Sequence, residues 1–327
     1  MTKNEREQKK RLKKREKRSF HQAMAMELRE HRSSFIVFTV LRALVIVTLV
    51  RQIMLASYES AFFCGLALLL YVPSWIQVKL RIELPPALEI TILCFIFAAE
   101  ILGEVNAFYV VVPNWDTMLH TINGFLAAAV GFSMVMLLND DERLTFNLSP
   151  LFLALVAFCF SMTIGVLWEF FEFSMDYFLG TDMQKDTIVH AIHTVALDAT
   201  RSNKVVTIPN IQEVVINGEP LGLGGYLDIG IIDTMKDLFV NFIGAVVFSV
   251  TGFFYAKSKG KKRTPAQNFV PSRKTADHDY LRQAMEEARA EEDASPETEK
   301  SGGTPEEPGS TLPGKTLSPE PPPQPES

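Results

Sequence analysis

The 327-residue chain has 38 acidic and 32 basic side chains, a formal net charge of −6, and a composition that is 47% apolar. Both ends are strongly polar, so the middle of the chain is far more apolar than this average suggests. The three cysteines lie singly in apolar runs, and no CxxC pair is present, which excludes a disulfide framework and a cysteine-rich zinc site.

The first predicted unit, residues 1–34, is a basic arm in which Lys and Arg dominate the first 18 positions. It has too few apolar side chains to offset the entropy of ordering, so we expect a disordered or loosely helical segment. Two roles stay open for the arm: attraction to anionic lipids of the inner leaflet, or only the setting of membrane topology. Aromatic residues are not interleaved with the charges, which argues against nucleic-acid binding.

Six apolar segments approach the length of about 20 residues that a helix needs to cross a bilayer. They are 35–56, 58–78, 86–106, 115–138, 151–175 and 231–256. The predicted fold class is therefore all-α, a polytopic membrane helix bundle whose transmembrane domain covers residues 35–256. Arg42 and Glu59 interrupt the first two segments and make their limits less certain than the others.

The distribution of Lys and Arg predicts the orientation of the bundle. The basic arm, the link with Lys79 and Arg81, and the run Lys257 to Arg263 all fall on one side of the membrane if the number of spans is even. Because cytoplasmic loops are enriched in Lys and Arg, this side is the cytoplasmic one. We therefore expect a multi-pass protein of the plasma (inner) membrane with both termini in the cytoplasm.

The connection 177–230 between the fifth and sixth spans is too long to be a simple loop. We interpret it as an extracytoplasmic lid. Its first part, 181–200, is polar and has a helical interpretation. The strand-like runs 205–208 and 213–216 flank a Pro-Asn pair, and Asn217 and Gly218 follow the second run. This pattern predicts a small β-hairpin.

The chain after the last span, residues 257–327, begins with basic residues, continues with an acidic stretch and ends in a segment rich in Pro, Ser and Gly. Such a composition cannot bury enough apolar surface to form a core. We therefore predict a disordered cytoplasmic tail.

Polar residues gather at the predicted extracytoplasmic ends of the last four spans. Ionisable groups cost about 2.5–3.5 kcal/mol each at the bilayer centre, so they are functional candidates by default. Spacings of three and four residues put the members of each set on one helix face. In chain order the sets are Glu100 and Glu104; Asp116, His120 and Asn123; Glu169, Glu172 and Asp176; and Asp233, Asp237 and Asn241. Together they predict one polar pocket that opens away from the cytoplasm.

Several carboxylates in a low dielectric need protons, a basic partner or a cation. Imidazole with carboxylates suits Zn, Mn or Fe, so one interpretation is a divalent-cation site. The proposed ligands are Asp116, His120, Asp233 and Asp237. The proposed acid–base groups are Glu169 and Glu172, and two roles stay open for them: a metal ligand, or a general base toward a metal-bound water.

Simpler interpretations of the same residues stay open. Asp116 and Asp233 stand at helix starts and suit N-caps. Asn123 and Asn241 suit hydrogen bonds between membrane helices, and His120 suits a structural role. The cofactor is therefore unassigned beyond the divalent-cation hypothesis.

Three motifs carry a family resemblance: Trp115 to His120 (WDTMLH), Leu167 to Phe173 (LWEFFEF) and Asp233 to Asp237 (DTMKD), the last followed by Asn241 to Ala245 (NFIGA). They resemble the YjdF-type bacterial inner-membrane proteins and, more loosely, the VanZ-like proteins, one of which is linked to glycopeptide resistance. The resemblance covers residues 110–250. It implies a multi-pass plasma-membrane protein and supplies no reaction.

Three functions remain open from the sequence. The first is binding or processing of an outer-leaflet lipid or cell-envelope substrate, with the lipid bilayer as the environment and no nucleic-acid partner. The second is a cation- or proton-coupled transporter, which is disfavoured because the inner halves of the last three spans offer little beyond Ser133, Ser161 and Ser249. The third is a structural or regulatory membrane scaffold.

Overall fold

The computed structural model describes residues 3–55, 70–139, 148–258 and 264–294. Helices dominate this part of the chain. In chain order they are α1 (Lys3–Glu30), α2 (Arg32–Met54), α3 (Val72–Leu80), α4 (Pro86–Phe97), α5 (Phe108–Val111), α6 (Trp115–Asn139), α7 (Pro150–Leu179), α8 (Ile231–Lys257) and α9 (Tyr280–Ala294). The predicted all-α membrane bundle is confirmed.

Among the described residues, four helices are long and apolar enough to cross a membrane: α2, α6, α7 and α8. The predicted third span is also helical, but an eight-residue π-helical segment, Ala98–Val105, continues the twelve-residue α4. The predicted second span, 58–78, lies largely outside the described residues, which resume at Leu70 and include α3.

Helices α6, α7 and α8 pack together as the central unit of the bundle, and small residues let α6 and α8 approach closely. A Cβ atom built on Gly124 would lie 2.1 Å from the carbonyl oxygen of Asn241, and one built on Gly244 would lie 2.1 Å from that of Thr121. Glycine is needed at both positions because the two backbones are in direct contact. Aromatic rings fill the layer further along, where Phe132 and Phe248 meet with centroids 5.8 Å apart.

A second apolar cluster joins α2 to α4 and the π-helical segment, through Phe38, Leu41, Leu93 and Ile101. A third cluster connects this group to the central unit, because Leu126 of α6 packs with Leu88 of α4. The central unit is therefore flanked by α2 and α4.

Residues 264–294 pack against α1 at one end of the bundle, which we call the cap end. Strand β1 (Ile82–Glu83) pairs antiparallel with β8 (Ser272–Arg273). A buried ion pair joins Lys274 to Glu27, whose side chains are 3% and 1% exposed. The predicted disordered tail covers 257–327. Its residues 264–294 are ordered, whereas 259–263 and 295–327 lie outside the described residues. A few apolar residues explain the order. Ala266 and Val270 enter the main core cluster of the bundle.

The other end of the bundle, which we call the loop end, carries residues 180–230. Their strands are β2 (Ile188–Val189), β3 (Ile192–Thr194), β4 (Val206–Ile208), β5 (Val215–Ile216), β6 (Glu219–Pro220) and β7 (Tyr226–Leu227). They form three antiparallel pairs, β2 with β7, β3 with β4, and β5 with β6.

The predicted small β-hairpin is present where Asn217 and Gly218 follow 213–216, because β5 pairs with β6. The runs 205–208 and 213–216 do not pair with each other, since β4 pairs back onto β3. The turn after β5 explains its pairing with β6. Asn217 and Gly218 have φ values of +55° and +90°, and positive φ at both central residues suits a two-residue hairpin turn. Short strands and turns also replace the helical interpretation of residues 181–200.

Candidate functional site

Helices α6, α7 and α8 bring their polar faces together at the loop end. His120 lies one turn before Gly124, and Asp237 and Asn241 lie just before Gly244. Because the backbones of α6 and α8 meet at these glycines, the side chains one turn nearer the loop end are held at short range. Glu169 projects toward them from α7 and is 4% exposed.

His120 is the centre of this group. Its Nε2 atom lies 3.5 Å from Asp116 Oδ1 and 3.9 Å from Asp237 Oδ2, and its Nδ1 atom lies 3.8 Å from Glu169 Oε1. The side chains of His120, Glu169 and Asp237 are at most 8% exposed, whereas that of Asp116 is 30% exposed. One imidazole is therefore surrounded by carboxyl groups from three helices, and Asp116 is the one nearest to solvent.

Two overlapping groups of side chains have the spacing that a metal ion requires. The ligand atoms of Asp116, His120 and Asp237 lie within 4.8 Å of one another, and the same is true of His120, Glu169 and Glu172. Asp237 Oδ1 and Glu169 Oε1 are buried and accept no hydrogen bond from any described residue. Buried carboxylate oxygens without a donor are costly, so this donor set fits a bound cation.

On the α7 side, neighbouring N–H groups engage the two glutamates. The Trp168 indole donates to Glu172 Oε1 at 2.8 Å. Gln184 Nε2 donates to Thr234 Oγ1 at 2.7 Å and makes a longer contact, 3.4 Å, with Glu169 Oε2. These donors stabilise the carboxylates where they stand and restrict their rotamers.

Beneath the carboxyl groups lies a layer of amides. Asn123 Nδ2 is 3.4 Å from Asn241 Oδ1, and Asn241 Nδ2 is 3.4 Å from the carbonyl oxygen of Ser161. Asn241 is fully buried, and a Cβ atom on Gly165 would lie 2.7 Å from its Nδ2 atom. The interpretation of Asn123 and Asn241 as interhelical hydrogen-bonding residues agrees with this geometry.

Asp176 and Asp233 tie the start of the 180–230 segment to the bundle. Asp176, on the last turn of α7, accepts hydrogen bonds from the backbone N–H groups of Met183 at 2.6 Å and Gln184 at 2.8 Å. Asp233, on the first turn of α8, accepts one from the backbone N–H of Lys185 at 2.9 Å. Asp233 belongs to neither of the two metal-spaced groups and lies at their rim.

Glu100 and Glu104 stand on the π-helical segment beside the rim, where Tyr109 of α5 links them to the site. Burial raises the pKa of the Tyr109 phenol, and the negative charges of Asp116, Glu104 and Glu100 act in the same direction. The ring packs on Gly103, where a Cβ atom would lie 2.3 Å from Tyr109 Cε2. The two glutamates therefore contribute negative charge to the surroundings of the site.

Sequence reasoning missed Gln184 and Tyr109, because each comes from a connecting segment rather than from a span with polar spacing. Trp168 of the LWEFFEF motif donates to Glu172, a role that the motif does not indicate. The one sequence feature that points to Gln184 is the glycine at position 230. A Cβ atom on Gly230 would lie 2.8 Å from Gln184 Cβ, so the chain passes close to this residue where α8 begins. His190 and His193 lie away from the site and contact Ile211 and Thr207 within the 180–230 segment.

The fold and its buried polar groups define a polytopic α-helical membrane protein with ionisable residues inside the bundle. A family model described as "Predicted membrane protein (DUF2238)" matches residues 35–258, more than half of the chain, and the chain belongs to this family. The matched range covers α2 to α8 and therefore every residue of the site. No curated protein and no solved structure matched the chain.

Proposed function

We propose that the loop end binds a divalent cation and uses it on the headgroup of an outer-leaflet lipid or another cell-envelope substrate. The observation that carries the proposal is His120, whose ring lies within 3.5–3.9 Å of carboxylates from α6, α7 and α8. Three acidic groups around one imidazole, with few basic residues nearby, favour a cation over any anionic ligand.

The proposed ligands are His120, Asp116 and Asp237, while Asp233 adds negative charge at the rim and holds the adjoining segment. A bound cation would supply Lewis acidity and an activated water. Glu169 and Glu172 would hold or move protons, because both lie beside His120 and are screened from solvent.

The position of the site supports a headgroup substrate. Asp116, Glu172 and Asp233 lie near the ends of spanning helices, so the site is at the boundary of the bilayer rather than at its centre. The distribution of Lys and Arg supports an orientation with the loop end outside and both termini in the cytoplasm of a plasma-membrane protein. The resemblance to YjdF-type and VanZ-like proteins agrees with that location and stays a prediction.

Metal analysis of the purified full-length protein tests the proposal. After incubation with Zn²⁺ or Mn²⁺ and removal of free metal, the wild type is expected to retain about one ion per chain. His120→Ala and Asp237→Ala are expected to lose it. Asp182→Ala is the matched control, because Asp182 is an exposed carboxylate of the same end that pairs with Lys185 outside the metal-spaced groups. A wild type that retains no more metal than Asp237→Ala contradicts the proposal.

A cation- or proton-coupled transporter is the second function, favoured by the amide layer that extends the polar residues below His120. Toward the cap end, however, the hydroxyls of Ser133 and Ser161 donate to the backbone carbonyls of Ala129 and Gly124. Their hydrogens are used within the bundle, Ser249 Oγ is buried without a partner, and no hydrogen bond joins these three hydroxyls to one another in the described helices. Ion flux into proteoliposomes that is abolished by Glu172→Gln would favour transport. If the protein shows neither ion flux nor bound metal, the scaffold is the remaining function.

A further inference from the structure

The two ring nitrogens of His120 face different carboxyl groups. Nε2 faces Asp116 and Asp237, which come from α6 and α8, whereas Nδ1 faces Glu169 of α7. A neutral imidazole binds a cation through one nitrogen and carries a proton on the other. The site therefore has two alternative arrangements, and which carboxylates are ligands depends on which nitrogen carries the proton.

Two buried carboxylate oxygens of the site, which have no hydrogen-bond donor, distinguish these arrangements. Glu169 Oε1 faces the Nδ1 atom, and it is buried and accepts no hydrogen bond from the described residues. A proton on Nδ1 would supply the donor that this oxygen lacks once the two atoms, 3.8 Å apart, close to hydrogen-bond distance. Asp237 Oδ1 is also buried and without a donor, on the residue that faces Nε2. A cation on that side would neutralise Asp237, so one choice of tautomer accounts for both oxygens.

The remaining contacts of the site agree with that choice. Glu172 Oε1 already accepts the Trp168 indole N–H, and Glu169 Oε2 lies next to the Gln184 amide. N–H donors therefore already surround the two α7 carboxylates, which agrees with their acting as hydrogen-bond acceptors. Asp116, on the other side, is 30% exposed, which leaves an entry for an ion from solvent.

We infer that His120 binds the cation through Nε2 together with Asp116 and Asp237, and that its Nδ1–H donates to Glu169. Glu169 is then a positioning residue that orients the ring and raises its basicity, and it is not a ligand. Carboxylate partners of this kind orient metal-binding histidines, and their loss costs about 10–100-fold in metal affinity. The inference rests on the proposed function, since it requires a cation at the site.

The test is a series of variants of the full-length protein in detergent, with Zn²⁺ affinity and the absorption bands of bound Co²⁺ as readouts. Glu169→Gln keeps an acceptor oxygen but not its charge, and Glu169→Leu removes both. Zn²⁺ affinity is expected to fall in the order wild type, Glu169→Gln, Glu169→Leu, with about 10–100-fold between the ends of the series. The Co²⁺ bands should shift in both variants, because a change in the ring's basicity alters the ligand field. A purely structural role for Glu169 would not produce this shift.

Two further variants separate the alternatives. Asp237→Asn is expected to abolish binding, whereas Glu172→Gln is expected to retain metal, because Glu172 groups with Glu169, the residue that faces Nδ1. Loss of metal in Glu172→Gln with retention in Asp237→Asn would place the cation on that side and overturn the inference. If the wild type binds metal and the Glu169 variants match it in affinity and spectrum, the inference is overturned but the proposed function is not. A wild type that binds neither Zn²⁺ nor Co²⁺ would overturn it together with the proposed function.

Discussion

Replacing Gly244 by alanine should separate α6 from α8 at the turn that supports the site. The new methyl group would lie 2.1 Å from the Thr121 carbonyl oxygen, and real Cβ atoms essentially never come closer than 3.0 Å, so it must retreat by at least 0.9 Å (3.0 − 2.1). Its neighbours are backbone atoms of α6, which cannot rotate away as a side chain would. The helices themselves must therefore move.

Overpacking of this kind costs about 1–3 kcal/mol. In a domain of about 150–250 residues, each kcal/mol lowers the unfolding temperature by roughly 2–4 °C. The sign of the change in stability is diagnostic. Alanine is favoured over glycine in a helix by about 1 kcal/mol, so without the close contact the substitution would stabilise α8. Metal affinity should fall about tenfold or more, since groups of a binding site must be held within about 0.5 Å. The separation would lengthen the 3.9 Å distance between His120 and Asp237.

The assay is thermal unfolding in detergent together with Zn²⁺ binding, and Gly252→Ala is the matched control on the same helix. The nearest atom to a Cβ at Gly252 is Phe132 Cε2 at 3.1 Å, so relieving the contact takes a shift of only a few tenths of an ångström. Gly252→Ala should therefore lower the unfolding temperature less and leave metal binding unchanged. Equal unfolding temperatures and equal metal affinities for the two variants would refute the reasoning.

Two further predictions concern the ends of the bundle. Lys274→Met leaves Glu27 buried without its partner, at about 3–5 kcal/mol, and should expose residues 264–294 to limited proteolysis, whereas the exposed Arg282→Ala should not. Hydrogen bonds from Thr200, and from the Lys204 and Ser202 amides, lower the pKa of Asp198. The ionised carboxylate therefore protects the Lys204 amide from hydrogen exchange above the ordinary aspartate pKa of about 3.9, and protection is lost as the pH falls through the lowered value. Asp198→Ala should remove this protection at neutral pH, and unchanged exchange would contradict it.

Hydropathy was sufficient to predict the four long apolar helices among the described residues, since a bilayer imposes a minimum apolar length on any helix that crosses it. The predicted span 115–138 corresponds to Trp115–Asn139, and 231–256 corresponds to Ile231–Lys257. The strands of the 180–230 segment were harder to predict, because short strands gain stability from partners that local sequence does not identify. Val206–Ile208 accordingly pairs with a strand 12 residues upstream rather than with the nearer run after it.

The sequence does not predict the order of residues 264–294 either, because this order depends on partners elsewhere in the chain. Composition predicts disorder when apolar residues are sparse, but Ala266 and Val270 need only two positions in an existing core to hold their segment. The ion pair between Glu27 and Lys274 joins residues 247 positions apart, so neither charge identifies the other as its partner.

The sequence by itself determined which side chains share a helix face, because spacings of three and four residues have the same meaning in every α-helix. It therefore indicated that Asp116 and His120, and separately Asp233 and Asp237, stand together at one end of the bundle. Only the tertiary structure decided that Asp237 faces His120 while Asp233 turns to the Lys185 backbone. That choice depends on the rotation and separation of packed helices, which the contact between Gly124 and Gly244 sets and which no spacing along one helix encodes.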